Sequence, residues 1–337
     1  APLTLVSKAS SIGGSNETSP ALSIGSPNRL KMRPSVPSPT GTVIGPPVSV
    51  TSSPNFGYRH FLRALGDKTL EGVDLSRLRL IFNGAEPISV ELADEFMDRM
   101  APYGLRRSAM LPVYGLAEAS LAVAFPPPGS DYKYLTVDRR SLGVGATAKL
   151  VGEGDQGAIR LMCEGKPIPY TSVKLLDDAG AEVGPDVVGH LLISGDNVTR
   201  GYYENPEANA AAVTADGWVR TGDLALWHEG ELYVTGRSKE IIFVNGQNYY
   251  PHDLEMILQG EQGLEHGKVA AAGVRNPDAP TDELVLFVTH KGDMADFVTI
   301  AAKAVHLVNE HAGVEVARVV PVNRIPKTTS GKLQRSS

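Results

Sequence analysis

The chain has 337 residues, a formal net charge of −6 and a hydrophobic fraction of 42%. The acidic balance argues against a nucleic-acid or anionic-membrane surface, and the apolar content is enough for a core in two domains, or one and a half. A single cysteine, Cys163, excludes an internal disulfide framework and supplies no metal cluster; a reducing, cytoplasmic setting fits it. No apolar run approaches membrane-spanning length, and no basic segment followed by an apolar core marks a secretory signal.

Residues 1 to 53 are rich in Ser, Pro, Gly and Thr and show no sustained period of 2 or 3.6, so they are expected to be irregular. Two small clusters, Ser11-Ile12-Gly13-Gly14-Ser15 and Thr40-Gly41-Thr42, faintly suggest a phosphate-cradling loop. Neither sits between a clear strand and helix, and both are read as irregular. The character changes at Ser53-Pro54-Asn55-Phe56-Gly57-Tyr58, which leads into a helical pattern at Phe61, Leu62 and Leu65. Leu78 to Phe82 reads as a short buried strand ending at Asn83-Gly84-Ala85-Glu86-Pro87. Ser89 then caps a helix with Leu92, Phe96 and Met100 on one face and Gly104 as its stop. A strand near Ala109 to Val113 runs into the turn Tyr114-Gly115-Leu116-Ala117-Glu118. This rhythm is that of an α/β sheet, whose ligands sit beyond the carboxyl ends of the strands.

Pro126 to about Gly157 reads as a long connection. Strands are expected at Ala158 to Cys163, Ser172 to Leu176 and Gly189 to Gly195, making a β subdomain. A hairpin follows, with Leu224 to Trp227 and Glu231 to Val234 as its strands and His228-Glu229-Gly230 as its turn. Asp223 and Arg237 then fall at its outer ends, within reach of each other. A carboxylate can hold both hydroxyls of a ribose, and a nearby guanidinium can hold a ribose oxygen or a phosphate; a surface ion pair on a solvated hairpin is the alternative. Beyond Arg237, strands at Glu240 to Val244, Val269 to Val274, Leu284 to His290 and Val316 to Val322 alternate with helices. These helices start at Pro251 and cover Phe297 to Val308. The expected division is therefore an irregular segment 1–53, a part of a larger domain over 54–236, and a small α+β domain over 237–337.

Thr221-Gly222-Asp223, Gly236-Arg237-Ser238-Lys239-Glu240, Asn245-Gly246 and Pro326-Lys327-Thr328-Thr329-Ser330-Gly331-Lys332 stand in the order and spacing of the adenylate-forming enzymes. The chain resembles that superfamily from residue 54 to about 335. The resemblance implies the C-terminal portion of a large domain, an α/β sheet plus a β subdomain, followed by a small mobile α+β domain. It implies ATP and Mg²⁺ as cofactors and the attack of a carboxylate on the α-phosphate of ATP. Such a site needs positive charge and fixed geometry more than acid–base groups. By the same resemblance, Asn83, Gly84 and Ala85 belong to the loop along the adenine, where a glycine lets the backbone approach the flat base. Tyr114 and Gly115 belong to the motif whose tyrosine packs on adenine, and Glu118 binds Mg²⁺. Asp223 holds the ribose hydroxyls, Arg237 contacts ribose or phosphate, Lys239 is the hinge, and Lys332 bridges the α-phosphate and the acyl carboxylate. A plain turn, a buried Tyr, a solvated Glu and surface lysines are the alternative readings of these positions.

The branch most resembled is the fatty acyl-AMP ligases. Val244-Asn245-Gly246-Gln247-Asn248-Tyr249-Tyr250-Pro251-His252-Asp253-Leu254-Glu255 resembles that branch's Asn-Gly-Arg-Asn-His-Tyr-Pro-Gln-Asp-Ile-Glu, with Gln247, Tyr249 and His252 departing from it. The stretch from about Tyr132 to Gly157 sits where this branch carries an insertion that disfavours reaction with CoA; an ordinary surface loop is the alternative. The implied partners are a fatty or similar apolar carboxylic acid and the phosphopantetheine thiol of an acyl carrier protein. An acyl-CoA ligase or amino-acid-activating domain is the competing enzyme, and a truncated, non-catalytic ATP- or partner-binding remnant the competing non-enzyme. Residues 1 to 53 do not resemble the family's N-terminal part, which carries the phosphate-binding loop and much of the acyl tunnel. The chain is accordingly expected to be a fragment.

Overall fold

The computed structural model describes residues 49–155, 157–245, 247–265, 267–275, 282–327 and 333. The expectations for residues 1–48 and the assignment of Lys332 lie outside them. All the described residues fall in one compact unit, Pro47–Ser337.

Strands β1 (Val50–Ser53), β2 (Leu80–Asn83) and β3 (Met110–Pro112) pair in parallel in that order. Helices α1 (Asn55–Leu65) and α2 (Val90–Met100) connect them. The Ser89 hydroxyl accepts from Leu92 N, which starts α2, and Gly104, in the left-handed region, ends the short 3-10 turn that follows it. Val90, Ala93, Phe96, Met97 and Met100 bury one face of α2 against Tyr58, Leu65, Ile81 and Met110. The loops after β2 and β3 therefore emerge side by side at the carboxyl edge of the sheet.

β1 departs from the expectation of an irregular segment through Ser53. Its four residues, Val-Thr-Ser-Ser, carry no large apolar group, and it is a strand because β2 offers it a parallel edge. The connection after Pro126 likewise contains a strand. The pairs β4 (Ala124–Phe125) with β7 (Lys166–Pro167), and β5 (Tyr134–Asp138) with β6 (Ala158–Met162), are antiparallel. Next come β8 (Thr171–Leu176), β9 (Gly189–Gly195), α3 (Pro206–Ala212), β10 (Val219–His228) and β11 (Glu231–Arg237). The strands form an antiparallel sheet in the order β11-β10-β9-β8. Glu229 and Gly230 turn the β10–β11 hairpin, both at positive φ.

A single 3-10 turn, Ser238–Glu240, leads into the hairpin β12 (Ile242–Val244) and β13 (Gln247–Tyr249). Helix α4 (Pro251–Leu258) has proline at its first position, and strands β14 (Val269–Arg275) and β15 (Asp282–Thr289) are antiparallel. Helix α5 (Met294–Ala312) ends at Gly313 in the left-handed region, and β16 (Arg318–Val322) lies parallel to β15. Leu254, Leu258, Ala271, Leu284, Leu286, Phe297, Ala304 and Val308 belong to a core whose buried members run from Ile242 to Val316. No helix among the described residues is long and apolar enough to cross a membrane.

Candidate active site

The β10–β11 register sets Asp223 opposite Arg237, beside a bulge between Leu224 and Ala225. Asp223 is buried, and both carboxylate oxygens are engaged. Arg237 Nε donates to Oδ1 at 3.1 Å and the Tyr114 hydroxyl donates to Oδ2 at 2.7 Å. Thr221 fixes the backbone there: its Oγ1 accepts from Asp223 N at 3.0 Å and donates to Leu191 O at 2.8 Å. Burial pushes the Asp223 carboxyl above the usual aspartate range, against the opposing pull of Tyr114 and Arg237. The Arg237 side chain is 60% exposed against 9% for Asp223, so the pair orients more than it stabilises. The Tyr114 phenol is pushed well up by burial and by the neighbouring Asp223 charge.

Asp223, Arg237 and Tyr114 line a cleft of about 470 Å³, together with Ala85, Gly115 and Glu118. It is also lined by His252, Glu255, Met256 and Gln259 of α4 and its end, and by Gly267, Lys327 and Leu333. Lys327 and Leu333 pair with each other in an antiparallel bridge. A side cavity of about 30 Å³ shares Glu164, Val234, His252 and Met256 with the cleft. The polar–apolar mixture of the lining and the concave shape are those of a small-molecule site.

Asn83 and Gly84 stand behind this wall rather than on it. Asn83 is buried, and its Nδ2 donates to Asn55 Oδ1 at 3.2 Å. A Cβ on Gly84 would lie 2.6 Å from Val113 O, so packing of adjacent loops already demands glycine there. At Gly115 a Cβ would fall 1.6 Å from Leu121 O, which forbids any side chain. Ala85 holds φ 72, an uncommon conformation for a residue with a Cβ, and does line the cleft. Lys239 is exposed within the Ser238–Glu240 turn, directly after Arg237.

Several residues of the site escape a sequence reading. Asn55 begins α1, donates to Pro87 O and accepts from Asn83 and Ser89 N, which ties α1 to the Asn83–Ser89 loop. Glu164 is buried, accepts from Val234 N at 3.0 Å and is pushed well above the ordinary glutamate value by burial. Tyr202 donates to Glu118 Oε1 at 2.9 Å.

Residues 47–203 match the family model described as AMP-binding enzyme. With the sheet, the hairpin and the cleft in place, residues 47–203 carry the likeness to the AMP-binding, adenylate-forming enzymes. Within them the chain is most like fatty acyl-AMP ligases. It is 36% identical over 310 residues to 4-hydroxyphenylalkanoate adenylyltransferase of Mycobacterium marinum, covering 86% of this chain and 49% of that protein. It is 35% identical over 308 residues to the long-chain-fatty-acid–AMP ligase FadD26 of Mycobacterium tuberculosis, covering 85% and 52%. A solved structure from a study of fatty acyl-adenylate ligases from E. coli and L. pneumophila superposes with a TM-score of 0.76 at 31% identity. It covers 85% of this chain and 52% of that one. The chain thus spans about half the length of the curated relatives it matches.

Proposed function

We propose that the protein activates a fatty or similar apolar carboxylic acid with ATP, giving acyl-AMP and pyrophosphate, and passes the acyl group to the phosphopantetheine thiol of an acyl carrier protein. The observation that carries the reading is the convergence on one cleft of Asp223 and Arg237 from the β10–β11 hairpin, Tyr114 and Glu118 from the loop after β3, and Ala85 from the loop after β2. In it Asp223 accepts the two ribose hydroxyls, sharing its oxygens with Tyr114 and Arg237. The Tyr114 ring offers its face to adenine, beside the Asn83-Gly84-Ala85 loop. Arg237, half in solvent, reaches a ribose or phosphate oxygen. Lys332 supplies a positive charge between the α-phosphate and the incoming carboxylate, lowering the repulsion of two anions at the transition state. Lys239 is the pivot of the C-terminal part.

Among the described residues no group of three or more His, Cys, Asp or Glu side chains forms a metal cage. Glu118 lines the cleft, and Mg²⁺ takes one or two carboxylates and completes its shell with phosphates and water. Glu118 would hold it, and the ion, when bound, supplies charge neutralisation on the phosphates.

Transfer to a carrier protein rather than CoA is favoured by how residues 132–157 attach to the C-terminal core. Arg139, just after β5, makes a buried two-pronged pair with Asp253 of α4, and the Tyr250 hydroxyl donates to Leu142 O at 2.9 Å. Such contacts hold α4 in one orientation. The test supplies CoA and a holo-carrier protein side by side to the complete polypeptide with ATP and fatty acids of several lengths, reading products by mass spectrometry. Acyl-carrier without acyl-CoA is expected; acyl-CoA as the main product would refute the acceptor, and no acyl-AMP at all would refute the activity.

A further inference from the structure

The segment from Asn197 to Asn209 grips the Glu118 loop at several points. Asn197 Nδ2 donates to the carbonyls of Ala119 and Ala122 at 2.9 and 2.7 Å, and Thr199 N donates to Glu118 O at 2.7 Å. The Tyr202 hydroxyl then takes the Glu118 side chain itself, through Oε1. Tyr202 is fixed in turn by Asn209 of α3. The Asn209 amide accepts from Tyr202 N at 2.6 Å and donates to Tyr202 O at 2.9 Å. Tyr202 is 39% exposed, so the contact is not a by-product of core packing. Among the described residues, Oε2 of Glu118 has no hydrogen-bond partner. A glutamate has three rotatable side-chain bonds, and anchoring one oxygen through a braced phenol removes most of that freedom.

We propose that Tyr202 is a positioning residue for Glu118: its hydroxyl occupies Oε1 and holds the carboxylate so that Oε2 faces a divalent cation bound with the nucleotide phosphates. The proposal rests on the reading of Glu118 as a cation ligand. Tyr202 touches neither substrate nor cation; it acts through Glu118, as outer groups do at metal sites generally.

The test uses Mn²⁺ as the probe and the complete polypeptide, with and without ATP, following bound Mn²⁺ by electron paramagnetic resonance. Tyr202→Phe keeps the ring and removes only the hydroxyl. It is expected to weaken Mn²⁺ binding in the presence of ATP about ten-fold. ATP affinity measured in a chelator is expected to stay unchanged, and Tyr202→Phe should add nothing to Glu118→Gln. Wild-type Mn²⁺ affinity in Tyr202→Phe, beside weakened binding in Glu118→Gln, overturns the positioning role and leaves the ligand reading standing. Unchanged Mn²⁺ affinity in Glu118→Gln overturns both. A loss of ATP affinity in the chelator equal to the loss of Mn²⁺ affinity marks a purely structural role and likewise overturns the proposal.

Discussion

Arg139 and Asp253 form a two-pronged ion pair, Nε to Oδ2 at 2.7 Å and Nη2 to Oδ1 at 3.1 Å, with side chains 5% and 9% exposed. A third guanidinium nitrogen donates to the carbonyl of His311 at the end of α5. A charge so buried is tolerable only while its partner is present. Arg139→Ala is therefore predicted to lower stability by about 3–5 kcal/mol, because Asp253 is left charged and dry. Replacing both, as Arg139→Met with Asp253→Leu, is predicted to recover most of that loss. Chemical denaturation of the three proteins measures it; a double variant no more stable than Arg139→Ala would contradict the argument.

The same double variant tests what the pair is for. With the ionic tether gone and stability kept, α4 is freer to reorient, and the yield of acyl-CoA from added CoA is predicted to rise several-fold over wild type. An unchanged yield in a stable double variant would remove the Arg139–Asp253 pair from the account of acceptor choice.

Glu164 gives a stability prediction with a definite sign. Burial raises its folded-state pKa well above the ordinary glutamate value of 4.5. The folded state then binds a proton that the unfolded chain has released. Stability from the neutral form is complete below 4.5 and is lost as pH rises through the raised folded value, at about 1.4 kcal/mol per unit. Glu164→Gln keeps the shape and an acceptor for Val234 N without the titration. It is predicted to match wild type near pH 4 and to exceed it at pH 8, as thermal unfolding at both pH values will show. Parallel pH profiles for the two proteins would mean that Glu164 is not held neutral.

The Tyr114–Asp223 hydrogen bond favours the charged carboxylate, while burial opposes it. The ribose contact proposed for Asp223 needs the charged form, so nucleotide affinity is predicted to fall on acidification at a pH above the ordinary aspartate value. Tyr114→Phe removes a donor to the carboxylate, raises its pKa further and moves that acid limb upward. Calorimetric titration of ATP across pH measures it; a limb that stays put or moves down would uncouple Tyr114 from Asp223.

What the sequence discloses here is what local pattern determines. The β10–β11 hairpin, α2 with its Ser89 cap, and α5 with its Gly313 stop are each specified by residues a few positions apart, and the structure has them. The facing of Asp223 and Arg237 follows from the hairpin itself. By contrast, β1 exists only through its parallel partner β2, and β5 only through β6 across a Gly-bearing stretch, so neither carries a readable period. The site behaves likewise. Glu118 and Tyr202 lie 84 residues apart in the chain. Glu164 reads as one more residue at the end of a strand until its burial is seen. Gly84, read as clearance for a base, proves to be required by the Val113 carbonyl.

In the proposed reaction one cleft holds the nucleotide sugar through Asp223 while Lys332 neutralises the meeting anions. Acid-dependent exchange of labelled pyrophosphate into ATP by the complete polypeptide tests it most directly, in wild type, Asp223→Ala and Lys332→Ala. The account predicts exchange in the wild type that depends on added fatty acid and is abolished in both variants. Exchange that persists in both would contradict it.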